Sequence, residues 1–432
     1  MRMVAAYRPV LDAPARHSDY VWHAAWLLYD TGHPVEALQL YEFLGERCRQ
    51  SGDMAGLASS LGNQAVILYD RGDLDAALML HKAGERIYRE LGDEDGLQHS
   101  LGNQALILHD RGDVDGAIAL HREEERLCRK SGDRDGLQRS LGNQALVLRN
   151  RGDLDEAMAL LEEQARICRE LGNKDGLANS LGNQAPILQA RGDLDEAMAL
   201  YREAERICRE MGNKEGLAST LGNQGILLKR RGDLDGAMTL YREVENICRE
   251  IGNKDGLASV FGNQALILRA RGDLDGAMAL LKEQERICRE MPQKHGLQLS
   301  LGNQALILCA RGKLDGAMAL LKEQERICRE IDDKDGLQRS LGNQANILAD
   351  LGDFGKALAL HQEKERICRE LGTPRGLALS LANQAVVLAR LGRPRQALPP
   401  AEEAYRLATS YGLTRVMGQV KPILDAVRSM LE

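Results

Sequence analysis

The chain has 432 residues, with 57 basic against 64 acidic side chains, a net charge of −7 and only 3% aromatics. That balance gives no electrostatic case for binding nucleic acid, and no run of 18 apolar residues offers a membrane span. Cores centred on large aromatics are not expected, which leaves Ala, Leu, Ile and Met to do the packing.

Residues 1–19 carry charges throughout without a long apolar core. They read as an N-terminal extension and not as a secretory leader. From 20 to 410 the sequence repeats. Gly-Asn-Gln recurs every 40 residues at Gly62, Gly102, Gly142, Gly182, Gly222, Gly262, Gly302 and Gly342, and a ninth copy reads Ala382-Asn383-Gln384. A degenerate first unit beginning near Val21 completes ten. Each unit is too small to bury its apolar face alone and must stack on its neighbours.

The unit at 173–212 shows the internal logic. Leu177, Leu181, Gln184 and Leu188 share one helical face, which predicts helix A over roughly 174–190. Gly192 suits a left-handed helix end, and Asp193 suits the N-cap of the next helix, with Glu196 completing a capping-box-like pair. Helix B, roughly 194–211, carries Leu194, Ala197, Tyr201, Ala204 and Cys208 on one face. The short turn makes the pair antiparallel.

Breaks in the pattern carry expectations of their own. Pro186 falls inside a helix A and predicts a local kink. Met291-Pro292-Gln293 replaces the usual turn and alters one junction. Trp22 and Trp26 in the first helix read as a cap on an open face. Pro399 and Pro400 interrupt the last helix B, and 411–432 reads as a C-terminal capping helix with Val416, Val420, Ile423, Leu424, Val427 and Leu431 at helical spacing.

Of nine cysteines, eight share one register: Cys48, Cys128, Cys168, Cys208, Cys248, Cys288, Cys328 and Cys368. Neighbouring repeats pack at about 8–10 Å, beyond the ~7 Å that a disulfide spans. These read as buried free thiols, which suits a reducing cytoplasm. No CxxC, CxxH or HExxH spacing appears, so neither a metal nor another cofactor is expected. No phosphate loop, nucleophile elbow or acid–base pair appears either, and the protein reads as a non-enzyme.

The unit resembles the tetratricopeptide repeat. Ala117, Ala157, Ala197, Ala237, Ala277 and Ala317 fall at the family's small helix-B position, Ala105 and Leu108 at its helix-A positions, and the Gly-Asp-Leu-Asp turn matches. At 40 residues the unit is similar in length to the repeats of kinesin light chain and of the Pins-type scaffolds. It departs in having Gln64, Gln104 and Gln144 where the family has a helix-A leucine, and in lacking the end-of-repeat proline. The resemblance implies an all-α, right-handed superhelical solenoid of ten antiparallel helix pairs, whose helices A line a concave groove.

An asparagine ladder stands out: Asn63, Asn103, Asn143, Asn183, Asn223, Asn263, Asn303, Asn343 and Asn383. A carboxamide offers a donor and an acceptor, which is what a peptide unit needs, and the preceding Gly leaves room for close approach. The ladder either grips a partner's backbone in the groove or braces the neighbouring helix. The Gln beside it faces the packed side and needs internal partners, which Gln164, Gln284 and Gln324 on helix B could supply.

Other groove positions vary, and Arg139, Arg149, Lys229, Arg230 and Arg269 make the middle basic, suited to an acidic peptide. Six Arg-Gly-Asp triplets, at Arg71, Arg111, Arg151, Arg191, Arg231 and Arg271, sit in the inter-helix turn, where capping explains them. The expected role is a cytoplasmic scaffold for a protein or peptide partner, binding neither nucleic acid nor membrane. Self-association and service as the sensor arm of a separate effector are the alternatives. Pro186, Asn346, Cys309 and the irregular ends look like drift after duplication of a natural sequence.

Overall fold

A computed structural model describes residues 18–292 and 294–432. The packing divides the chain into two compact units, Met1–Thr220 and Leu221–Glu432. In the first unit the helices are α1 (Ser18–Asp30), α2 (Pro34–Ser51), α3 (Met54–Asp70), α4 (Leu74–Leu91), α5 (Glu94–Asp110), α6 (Val114–Ser131), α7 (Arg134–Arg151), α8 (Leu154–Leu171), α9 (Lys174–Arg191) and α10 (Leu194–Met211). The helix α11 (Lys214–Arg231) runs through the division. The second unit continues with α12 (Leu234–Ile251), α13 (Lys254–Ala270), α14 (Leu274–Arg289), α15 (His295–Ala310), α16 (Leu314–Glu330), α17 (Lys334–Asp350), α18 (Phe354–Glu370), α19 (Pro374–Arg390), α20 (Pro394–Ser410) and α21 (Thr414–Ser429). The described residues contain no strand. Odd-numbered helices up to α19 are the A helices of the repeat, even-numbered ones the B helices.

The two helix types bury different amounts of themselves. Helix α5 buries Leu97, Gln98, Ser100, Leu101, Gln104, Ala105 and Ile107, because a B helix packs on either side of it. Helix α6 buries a single stripe, Ala117, Ile118, His121, Glu124 and Cys128. The signature alanines Ala117, Ala157, Ala277 and Ala317 are fully buried and let the helices approach closely. In the first unit Ala117, Ala145, Ala157, Leu161 and Ile187 join four successive helices in one cluster.

Serine and glutamine one turn apart on helix A aim at one carbonyl of the preceding helix B. Ser180 Oγ and Gln184 Nε2 both donate to the Leu161 carbonyl, at 2.7 and 3.2 Å. Ser340 and Gln344 treat Leu321 the same way, at 2.7 and 3.4 Å. The buried glutamine is thus a register pin. Its helix-B partners are this carbonyl and a glutamate, as in Gln144 to Glu125 (2.8 Å) and Gln264 to Glu245 (3.0 Å). The expected pairing with Gln164, Gln284 and Gln324 is not made, because those side chains lie further along helix B, under the neighbouring glycine.

Turns follow the glycine logic. Gly152 and Gly192 sit at φ of 101° and 96°, the left-handed region where a side chain would be strained. Asp113, Asp233 and Asp273 accept the amide of the glycine three residues on, at 3.0, 2.8 and 2.8 Å. Asp153 and Asp193, followed by Glu156 and Glu196, make no such side-chain bond, which corrects the capping-box expectation. The Asp153 carboxylate is drawn instead to the Arg151 guanidinium.

Helix α9 continues unbroken through Pro186, and α20 through Pro399 and Pro400, so the expected interruption of the last helix B does not occur. The buried stripe Ala397, Ala401, Ala404 and Ala408 holds α20 across them. At the irregular junction α14 stops at Arg289 without a left-handed cap, and α15 starts at His295 without a side-chain cap. Gln293 lies outside the described residues, as do the first 17 positions of the expected extension. Trp22 packs on Tyr41 at 5.9 Å between ring centres, whereas Trp26 is half exposed and caps nothing among the described residues. Helix α21 buries Val416, Val420, Leu424 and Val427, with Ile423 partly buried and Leu431 exposed beyond its end.

Ion pairs knit successive repeats along the B helices. Arg89–Glu123, Arg129–Glu163, Arg289–Glu323, Arg329–Glu363 and Arg369–Glu403 span 2.8–3.0 Å at one sequence offset. Arginines of the Arg-Gly-Asp triplets make a parallel set, Arg111–Asp75 at 2.8 Å and Arg151–Asp115 at 2.9 Å, with Arg191–Asp155 and Arg271–Asp235 alike. All are solvent-exposed, so each contributes under about 1 kcal/mol.

Candidate partner-binding face

Every asparagine of the ladder is half-buried on the same face of its A helix, one residue before the register glutamine. The face divides into three classes of contact. Asn63 and Asn263 turn back on their own helix, donating to the Ser59 and Ser259 carbonyls at 2.9 and 3.2 Å. Asn183 and Asn263 accept from the preceding A helix: Arg149 reaches Asn183 at 3.3 Å, and Lys229 reaches Asn263 at 2.9 Å. Burial holds the Lys229 ammonium below the usual lysine range. Asn383 donates to Asn346 at 3.3 Å. No hydrogen bond from a described residue reaches Asn103, Asn143, Asn223, Asn303 or Asn343. Bracing therefore accounts for part of the ladder and leaves the rest open.

Of the basic positions, Arg149 and Lys229 serve those bridges, and Arg139 lies 3.6 Å from Asp135 on its own helix. Arg230 is exposed, and Arg269 is half-buried. The offset that joins Arg149 to Asn183 would bring Arg269 to Asn303, but no hydrogen bond joins them.

The variable positions at helix-A ends also pair across repeats. Tyr69 donates to Asp110 at 2.5 Å, Tyr29 donates to Asp70, and His109 meets Asn150 at 3.1 Å. Bonding to Asp110 pushes the Tyr69 phenol up to about 12. The eight register cysteines are buried and unbridged, and Cys309 is half-buried and free. Burial raises the Cys168 and Cys328 thiols, to about 11 and about 12, so they are poor nucleophiles.

Cavities open between neighbouring A helices. In the first unit one of about 560 Å³ is walled by Asn143, Asn183, Asp135, Asp175 and Arg139 and floored by Gly142 and Gln164. In the second unit one of about 500 Å³ is walled by Asn263, Asn303, Leu266, Met291 and Leu299 and floored by Gly262 and Gln284. Asn103 lines a smaller one in the first unit, and Asn346, Asn383 and Arg390 another in the second.

The glycine preceding each asparagine was expected to admit a partner. In five of the eight units that have this glycine it admits a helix-B side chain instead. A Cβ on Gly142 would lie 2.6 Å from Gln164, on Gly302 2.6 Å from Gln324, and on Gly342 2.9 Å from Lys364. At Gly62, Gly182 and Gly222 nothing lies within 4 Å. Sequence reasoning took Gln164, Gln284 and Gln324 at this helix-B position as partners of the register glutamine and did not connect the position with the glycine, although aligning the units shows it varying as Gly84, Glu124, Gln164, Ala204, Val244, Gln284, Gln324 and Lys364. Among the described residues no group of three or more His, Cys, Asp or Glu could hold a metal ion, and no helix is long and apolar enough to cross a membrane.

Two family profiles match the sequence: the MalT-like TPR region over 178–334, and a tetratricopeptide repeat profile over 136–210 and 336–410. No curated protein sequence matches. Solved structures of similar fold include the tetratricopeptide-repeat STAND protein PH0952 from Pyrococcus horikoshii, 12% identical with a TM-score of 0.60, matching 85% of this chain and 55% of that one. The apo quorum sensor NprR from B. thuringiensis is 15% identical with a TM-score of 0.58, over 84% of this chain and 99% of that one. Apo RapI is 13% identical with a TM-score of 0.52, over 63% and 98%. With the repeat register, the helix pairs and both profiles in agreement over more than half its length, the chain belongs to the tetratricopeptide repeat family.

Proposed function

We propose that the protein is a non-catalytic binding scaffold that holds an extended or helical segment of a partner protein along the exposed face of its A helices. The observation that carries this reading is the asparagine register itself. Carboxamides recur at the spacing of the repeats, and Asn103, Asn143, Asn303 and Asn343 have donor and acceptor capacity that no described neighbour uses. Main-chain amides of a partner match that capacity, and the variable cavities between A helices supply side-chain selectivity. The net charge of −7 argues against nucleic acid as the partner.

The test is affinity capture followed by quantitation. A partner segment identified by mass spectrometry is titrated against wild type and against Asn143→Ala/Asn183→Ala/Asn223→Ala, with equal helicity confirmed by circular dichroism. The reading requires weaker binding to the triple variant. Undiminished binding assigns the ladder to helix bracing.

Exposure of Trp26 and Tyr20 on α1 favours a second reading, association of chains through the first helix. Light scattering that shows a monomer across concentrations removes it.

A further inference from the structure

One cavity in the second unit coincides with the largest departure from the repeat, and the departure leaves a polar side chain without its partner. In two other repeats the helix-B glutamine under the glycine donates to a glutamine on the preceding A helix. Gln164 Nε2 donates to Gln138 Oε1 at 3.4 Å, and Gln324 Nε2 to Gln298 Oε1 at 3.0 Å. Where the A-helix residue is alanine, the helix-B residue is apolar as well, as in Ala178 with Ala204 and Ala218 with Val244. The exception is Ala258 with Gln284.

Gln284 is only 5% exposed, and its Oε1 is buried without a partner, as are those of Gln164 and Gln324; what sets it apart is that no described residue accepts from its Nε2. The cavity of about 500 Å³ is bounded by Ala258 and Gln284 together, where the equivalent cavity of the first unit is bounded by Gln138 and Gln164. Its rim is where the array is least regular. Met291 stands in a turn that lacks the usual glycine, His295 replaces the register aspartate, and Leu299 stands where Arg139 and Arg339 stand in other units.

We propose that this cavity is a specificity pocket for a neutral carboxamide side chain, Gln or Asn, of the bound segment. The inference rests on reading the A-helix face as the binding surface. A carboxamide oxygen placed beside Ala258 takes the position of Gln138 Oε1 and Gln298 Oε1 in the sister repeats and accepts from Gln284 Nε2. The aliphatic stem of the guest packs on Leu266, Met291 and Leu299. A carboxylate guest meets a poorer site: Arg339 is paired with Asp335 at 3.2 Å, and Asp255 contributes negative charge to the wall. The Gln284 Nε2 opens into the cavity without an acceptor among the described residues, and a guest that accepts from it gains selectivity over one that does not.

Ala258→Gln tests this by supplying the guest from within the chain, and it leaves the ladder untouched. A random peptide library is selected on the full wild-type chain and on A258Q. In parallel, N-acetylglutamine methylamide and N-acetylglutamate methylamide are titrated against chain labelled with 15N-glutamine. The Gln284 side-chain amide is identified by its loss in Gln284→Ala. The expected results are selected peptides sharing a Gln or Asn at one position, an at least ~10-fold loss of their affinity in A258Q, and a saturable Gln284 shift with the amide probe only. Peptides without that preference, or unaffected by A258Q, overturn the pocket and leave the groove reading intact. Failure to select any peptide counts against the groove reading. The absence of a Gln284 shift with the amide probe overturns the pocket on its own.

Discussion

The cavity between α7 and α9 and the cavity between α13 and α15 are built on the same backbone plan and differ in what lines them. The first is mostly polar: Asp135, Asp175, Arg139 and Asn179 line it with Leu146, and Gln164 on its floor is tied to Gln138. The second exchanges two of those polar groups for Leu299 and Ala258 and leaves Gln284 untied. Neither change touches the residues that set the fold, since the buried alanines and register glutamines Gln144 and Gln264 persist in both. An array of near-identical units can therefore diversify its exposed face while its interior stays constant.

The largest expected effect separates what is shared by the units from what differs. His81 in the first unit and His361 in the second are buried, and burial lowers both to about 4. An unfolded histidine titrates near 6.5, so below that pH the unfolded chain gains protons that the folded chain refuses until about pH 4. Stability from each site is lost as pH falls from 6.5 to 4, by about 3 kcal/mol in total per histidine. The sister repeats carry Leu161, Leu281 and Leu321 at this position. Urea unfolding at pH 7 and pH 4 is expected to show that His81→Leu and His361→Leu each remove that share of the acid loss. An unchanged pH profile contradicts the burial argument.

A reciprocal exchange breaks the comparison directly. Gln138→Ala recreates in the first unit the untied glutamine of the second and is expected to cost about 1 kcal/mol. Ala258→Gln repairs the second unit and is expected to stabilise it by about as much. Thermal melts of the two variants should shift in opposite directions, and shifts of the same sign would mean that the Gln–Gln pair is not what distinguishes the sites.

The smallest effect sharpens the same contrast. A Cβ at Gly182 meets nothing, so Gly182→Ala should gain the ordinary helix preference, about 0.5–1 kcal/mol. Gly262→Ala displaces a Gln284 that has no bond to lose and should remain near neutral or better. Gly142→Ala pushes Gln164 off Gln138 and should be the worst of the three. Chemical unfolding of the three variants should return that order.

Much of this was legible in the sequence. Helix pairs, turns and the buried cysteine register follow from periodicity, because each unit repeats the same local instructions. The bounds of α9 and α10 fall within a residue of those expected. What local reasoning could not reach lies between units. The Arg–Glu rungs, the Arg–Asp rungs of the Arg-Gly-Asp triplets and the Tyr69–Asp110 pair join residues more than 30 positions apart, and helical spacing says nothing about them. The proline expectations at 399 and 400 failed for a related reason, since tertiary burial of the alanine stripe outweighs the two lost helical hydrogen bonds. At the candidate site the ladder was visible as a pattern. The division of its members between bracing and open capacity depends on Arg149 and Lys229 reaching across to the next helix, and so does not show in the pattern.

The most direct test of the central claim is the dissociation constant of the captured partner segment for three chains: wild type, Asn143→Ala/Asn183→Ala/Asn223→Ala, and Arg166→Ala/Arg206→Ala on the exposed side of the B helices. Three main-chain hydrogen bonds of about 0.5–1.5 kcal/mol each predict roughly 10- to 1,000-fold weaker binding to the asparagine variant and an unchanged constant for the arginine variant. Loss of binding in the arginine variant with the asparagine variant at wild-type affinity would place the partner on the other side of the repeats and contradict the account.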